Sequence, residues 1–138
     1  MIRNNGVGQI PALYDSLLAG DDAAATFLLD DASLLHLPGR SGLAGDYQGQ
    51  EAILGLLRRT AQLTRSVLHF NSPTVVSQVD QLIVLLGHMR ATHMGRQLAT
   101  DALHVLSLKD GKIREVWIFS LNQNQFDAFW TGCESSLG

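Results

Sequence analysis

The chain has one cysteine, Cys133, and a lone thiol cannot close an internal disulfide. That composition fits a reducing cytoplasm and makes Cys133 a packing residue before it is a nucleophile. No stretch approaches the roughly 20 apolar residues of a membrane span, and the opening MIRNNGVGQIPALY has no apolar run of signal-peptide length. Basic residues are sparse. The formal net charge is −3 and the densest basic cluster is Arg58–Arg59, so the charged stripe that nucleic acid requires is missing. Five histidines occur, at 36, 69, 88, 93 and 104, without an HxH, HExxH or CxxC spacing, and no metal site is expected. The glycines of GRSGLAG make neither a Walker loop nor a dinucleotide fingerprint, and there is no Gly-x-Ser-x-Gly elbow. Neither nucleic acid nor membrane is an expected partner.

What is present is enough apolar material for one substantial core. The hydrophobic fraction is 46% and the charged fraction 17%, and 138 residues suit a single domain spanning 1–138. Residues 1–8 read as frayed. Apolar spacing predicts helices near 9–19, 22–30 and 50–63, the last with an apolar stripe of Ile53, Leu56, Leu57 and Ala61. A short strand, Ser33–Leu37, precedes the turn-rich HLPGRSGLAGDYQG, read as a shaped loop. From about 67 to 121 the pattern is extended: Val67–Phe70, Thr74–Val79, Leu82–His93, Gln97–Leu108 and Lys112–Leu121. Asp110-Gly111 marks a hairpin, hence antiparallel pairing of the last two strands. A short amphipathic piece, Phe126–Trp130, closes the chain. Helices first and an antiparallel meander last give the α+β class.

Three segments, ALYDSLLAGD (12–21), HLPGRSGLAGDYQGQEAI (36–53) and HVLSLKDGKIREVWIF (104–119), carry a resemblance. The chain resembles the SnoaL-like polyketide cyclase branch of the nuclear transport factor 2-like, ketosteroid isomerase-like superfamily. That resemblance implies a cone-shaped, cystatin-like α+β barrel in which three helices pack in a curved antiparallel sheet around an apolar cavity. It also implies a small, apolar, oxygenated ligand such as a polyketide or steroid-like carbonyl compound, and chemistry without a cofactor. The cyclases it resembles carry an aspartate directly after the tryptophan of the last strand, and the epoxide hydrolases an Arg-Asp pair. Here Trp117 is followed by Ile118-Phe119-Ser120-Leu121, and Asn122 cannot accept a proton as a carboxylate does.

With that aspartate missing, histidine is the base candidate for an isomerase, cyclase or dehydratase. Strand alternation puts Ala102, His104, Leu106 and Leu108 on one face and Asp101, Leu103, Val105 and Ser107 on the other. His104 or His36 is the expected base, Asp101 the orienter, and Arg40 or Tyr47 the oxyanion donor. Asp101 has a second reading as an ion-pair partner of Arg90 or Arg96. Tyr14, Tyr47, His88, Arg90, Trp117 and Phe119 are expected to contact substrate, with His88 and Arg90 two residues apart on a strand that reads as buried on both faces at its start. His104 is expected to share a cavity with at least one of His36, Arg40 and Asp101. Trp117 and Phe119 also suit a dimer face, because Val116/Ile118 and Trp117/Phe119 make both sides of the last strand apolar and one side must be covered. A homodimer follows. The rival readings are a non-catalytic ligand-binding or dimerisation module and an epoxide hydrolase-like enzyme, for which Asp101 is the one carboxylate.

Overall fold

Local chemistry marks where each element begins and ends. In the computed structural model, which describes residues 10–64 and 69–137, Asp21 caps the second helix by accepting from Ala23 N at 2.8 Å and Ala24 N at 3.3 Å. The order is α1 (Ile10–Leu18), α2 (Asp22–Leu28), β1 (Leu34–Leu37), β2 (Gly45–Gln48), α3 (Gln50–Leu63), β3 (His69–Val79), β4 (Leu82–His93), β5 (Arg96–Lys109), β6 (Lys112–Ser120) and α4 (Gln123–Leu137). The mixed α+β architecture and the single curved sheet agree with the sequence reading. The expectations for residues 1–8, for the first residue of the helix at 9–19, and for Val67 and Leu68 lie outside the described residues.

The sheet runs β2-β1-β6-β5-β4-β3. Its 67–121 portion is antiparallel throughout the described residues, and β5 and β6 pair antiparallel across the Asp110–Gly111 turn. Asp110 and Gly111 both take positive φ, 51° and 81°, as a two-residue turn matched to strand twist demands. β1 differs: it joins β6 in parallel, Leu35 opposite Val116, so the complete sheet is mixed. The glycine-rich segment is also more ordered than a loop. Gly45–Gln48 forms the edge strand β2 against β1. At the other edge the two expected strands merge into β3, with register shifts between Asn71 and Thr74 and between Val75 and Ser77. Pro73 is tolerated there because an edge strand has one row of unpaired donors, and such irregularities bend a strand.

Burial alternates along β4 and β5. Ile83, Leu85, Met89 and Ala91 face inward, as do Leu98, Ala102, His104, Leu106 and Leu108. Leu82 is 41% exposed, so β4 is not buried on both faces at its start. The helices fill the concave side and bury Tyr14, Leu17, Leu28, Ile53 and Leu63 against it. The expected short piece at 126–130 is a full fourth helix. α4 buries Phe126, Phe129, Trp130 and Cys133, spaced i, i+3, i+4, i+7, on the same core.

Candidate ligand site

β5 presents His104 to the concave side, where it is fully buried. α1 brings Tyr14 over it, and the tyrosine hydroxyl lies 2.5 Å from His104 Nδ1. β3 lays Phe70 against the other side of the imidazole, with ring centroids 4.1 Å apart and planes 21° from parallel. Phe70 can sit there because β4 has Gly87 beneath it; a Cβ at that position would come within 2.5 Å of the Phe70 ring. Tyr14 meets the same imidazole edge-on at 83°.

Burial decides the proton states. It pushes the His104 pKa down to about 3, because a charged imidazolium would have lost its water without gaining a counter-charge. Burial also pushes the Tyr14 hydroxyl far above its ordinary value. Both groups are therefore neutral near pH 7, and a neutral tyrosine facing a neutral histidine assigns the tautomer. Tyr14 Oη–H donates to Nδ1, which leaves the ring proton on Nε2. The reverse arrangement would strand the tyrosine proton. Nε2 is buried and has no partner among the described residues. The His104 side chain lines a cavity of about 40 Å³ walled by Leu18, Leu37, Leu56, Met89 and Ile118, with Phe126 and Trp130 of α4. Thr60 also lines it, but its hydroxyl donates to Leu57 O at 2.7 Å.

The other candidates stand elsewhere. His36, Arg40 and Asp101 do not line the cavity that holds His104, which corrects the expectation of a shared site. Asp101 alternates with His104 along β5 and so points to the outer face, where its Oδ1 is 3.1 Å from His88 Nδ1. It orients a histidine, but the wrong one for the cavity, and its partner is neither Arg90 nor Arg96. His88 and Arg90 share that exposed outer face, since β4 is buried on its odd positions. This removes Asp101 as an internal carboxylate for epoxide opening. Arg40 is exposed in the turn after β1. Tyr47 is half-buried, and its hydroxyl donates to Leu43 O at 2.6 Å. Trp117 and Phe119 lie on the outer face of β6, with Phe119 42% exposed.

His36 occupies a second, different site. On the outer face of β1 its Nδ1 is 2.7 Å from Asp46 Oδ1 of β2 and its Nε2 2.7 Å from Glu115 Oε2 of β6. The Trp117 ring stacks on it at 5.3 Å and 22°. The hydrogen bond to Asp46, and then that to Glu115, raises its pKa above the ordinary histidine value. It is a structural clamp joining β2, β1 and β6 rather than a base at a cavity mouth.

Trp130 is the residue that sequence reasoning passed over. It lines the cavity, and its indole Nε1 is buried without a partner among the described residues. The spacing Phe126, Phe129, Trp130, Cys133 was a sufficient helical signal to place it inside. Among the described residues no cluster of three or more metal-ligating side chains occurs, and no helix is long and apolar enough to cross a membrane.

Comparison with known proteins places this geometry in context. The SnoaL-like domain family matches residues 10–116. The chain is similar to Bal32a, from a soil-derived mobile gene cassette, with a TM-score of 0.83 and 25% identity over 91% of this chain and 95% of that one. A protein of cystatin-like fold from Xanthomonas campestris superposes with a TM-score of 0.82 at 23% identity, covering 92% and 98%. IdmH of Streptomyces antibioticus, a candidate polyketide cyclase, does so with a TM-score of 0.70 at 21% identity, covering 94% and 99%. No curated protein matches the chain.

Proposed function

This chain belongs to the SnoaL-like domain family, and from that premise we propose that its cone binds a small apolar carbonyl compound whose oxygen accepts a hydrogen bond from His104. The observation that carries the reading is the buried, unpartnered Nε2 of a histidine that burial keeps neutral, and whose tautomer Tyr14 sets, at the wall of an apolar cavity. Leaving such a donor unpaired costs about 1–3 kcal/mol, which a ligand oxygen recovers on binding. The reaction class this suits is isomerisation or aldol-type ring closure beside the carbonyl, in which negative charge builds on the oxygen that Nε2–H holds. His104 enters it as a donor and not as the base expected from sequence, because a pKa of about 3 makes it a poor proton acceptor at neutral pH. The described lining holds no carboxylate, so binding and polarisation are the core of the proposal and turnover is its extension.

Size narrows the ligand. At about 40 Å³ the cavity is far below the roughly 300–1,000 Å³ of drug-sized pockets. As it stands it holds only a few atoms, so even a compact cyclic ketone enters only as the apolar walls give way. Outside the cone, Val79, Leu82, Phe119 and Leu121 are exposed on or beside the outer sheet face. We assign this apolar face to a second copy of the chain, as solution scattering at micromolar concentration would register by a doubled mass.

Trp130 fluorescence reports occupancy of the cavity, and cyclic ketones of five or six carbons are the probes. Replacing His104 by Phe keeps the ring stack and removes the donor, so ketone affinity should fall about tenfold. His36→Gln should bind as the wild type does. Equal ketone affinity in wild type and His104→Phe would remove the proposal.

A further inference from the structure

The cavity contains a second stranded donor. Among the described residues, His104 Nε2 and Trp130 Nε1 are both buried without a hydrogen-bond partner, and both side chains line the same small space. An indole nitrogen can only donate, and the histidine tautomer set by Tyr14 makes Nε2 a donor as well. Two donors without an acceptor would cost the empty fold two desolvation penalties of about 1–3 kcal/mol each. Nothing in the described lining offsets them: it has no carboxylate or amide, and the Thr60 hydroxyl, which donates to Leu57 O and keeps its lone pairs, accepts from neither nitrogen. The complement of this arrangement is an acceptor atom brought from outside.

Trp130 is also held in place. At the start of α4, Gln123 Nε2 donates to Pro38 O at 3.3 Å, and Gln125 Oε1 accepts from Ala99 N at 3.0 Å. Further along, Arg96 lies so close across Gly132 that a Cβ there would collide with its guanidinium. Phe126 and Phe129 pack edge-on to the indole, at 6.1 and 4.9 Å between centroids. A donor on a helix tied down at its start and packed between two rings is ordered before a ligand arrives, so little side-chain entropy is lost on binding.

We infer that Trp130 is a specificity-determining residue of this site, a second hydrogen-bond donor that with His104 selects an uncharged acceptor oxygen, the carbonyl of a ketone, aldehyde or quinone. This rests on the ligand reading above and deepens it. The lining is apolar apart from neutral donors and Thr60 and carries no cation, so a carboxylate would have to shed its water without a counter-charge and is rejected. A hydrocarbon of the same shape enters but leaves both donors unpaired. A water molecule is the competing occupant, since the cavity is roomy enough for one and water accepts two hydrogen bonds.

The test uses three probes of one shape: cyclopentanone, methylenecyclopentane and cyclopentanecarboxylate. The readout is the indole N–H resonance of Trp130 in the ¹⁵N-labelled protein, distinguished from that of the outer-face tryptophan by Trp117→Phe. Saturating ketone should move the Trp130 proton downfield, the alkene should not, and the carboxylate should fail to bind. Trp130→Phe should lower ketone affinity about tenfold and leave alkene affinity unchanged. An indole proton that stays put while ketone binds overturns the role of Trp130 and leaves the His104 reading standing; it would mean that water keeps that donor. A full ketone-over-alkene preference in Trp130→Phe does the same. If the wild type binds no ketone, both readings fall together. Should Trp130→Phe not fold, the indole shift in the wild type decides alone.

Discussion

Two histidines on one sheet have their pKa values driven in opposite directions by their surroundings. His104 lies inside the cone, stacked on Phe70, with one neutral hydroxyl for company. His36 lies outside it, between two carboxylates and against an indole. Desolvation without a counter-charge drives the first pKa down to about 3, while two carboxylate hydrogen bonds drive the second up. Residue type alone therefore says little about role. Both looked like bases in the sequence. One is a buried neutral donor at a cavity wall, and the other a clamp between strands whose partners favour its charged form.

The sharpest way to break this contrast is acid. The unfolded chain binds a proton at residue 104 near pH 6.5, whereas the folded chain refuses it until about 3. Between those values the unfolded state holds more protons, so stability falls as pH falls. Down to about pH 4 this single group should remove roughly 3 kcal/mol. His104→Phe lacks the group, so its urea-unfolding free energy should lose that much less than the wild type between about pH 7 and 4. Parallel slopes would mean that His104 is not a buried neutral imidazole.

Tyr14→Phe probes the same contrast at constant pH. It deletes the hydrogen bond that holds His104 Nδ1 and leaves a buried nitrogen unpaired, at a cost of about 1–3 kcal/mol. The imidazole ¹⁵N shifts should also change, because the tautomer is no longer set by the hydroxyl; unchanged shifts would contradict the assigned donor direction. Gly87→Ala should cost about 1–2 kcal/mol by a different route, pushing the Phe70 ring off the imidazole. Thermal unfolding measures it, and a melting temperature equal to the wild type would show that Phe70 has room to spare.

The sequence carried the inner site better than the outer one. Alternation along Ala102, His104, Leu106 and Leu108 put His104 and Asp101 on opposite faces without any structure, but which face is inward, and hence that Asp101 cannot orient His104, came only with the sheet. For β4 the apolar run Leu82–Leu86 hid the alternation, yet His88, Arg90 and Thr92 against Met89 and Ala91 already marked which face is buried. The partners of His36 were not legible. Asp46 sits ten residues away in a segment rich in turn formers, and Glu115 reaches it only because β1 joins β6 in parallel, a pairing that no local pattern encodes. Tyr14 and His104 are 90 residues apart, and their contact depends on how α1 docks on the sheet. α4 was legible as a stripe but was cut short because its polar positions, Asn124 and Asp127, dilute the apolar ones.

The smallest effect belongs to His36. Its partners are solvent-accessible, Asp46 at 74% and Glu115 at 30%, so water and salt screen both ion pairs. Replacing His36 by Gln should cost no more than about 1 kcal/mol even where the imidazole is fully charged. The pH dependence has the opposite sense to that of His104. A pKa raised on folding means that the folded state holds the proton longer, so the contribution is complete below the unfolded value of 6.5 and fades as pH rises through the folded one. The difference between wild type and His36→Gln should therefore be present at about pH 5.5, shrink as pH rises above the unfolded value, and diminish in added salt. Urea unfolding of the two proteins across that range measures it. A difference that grew with pH would mean that His36 is held neutral, and the two histidines would then be alike after all.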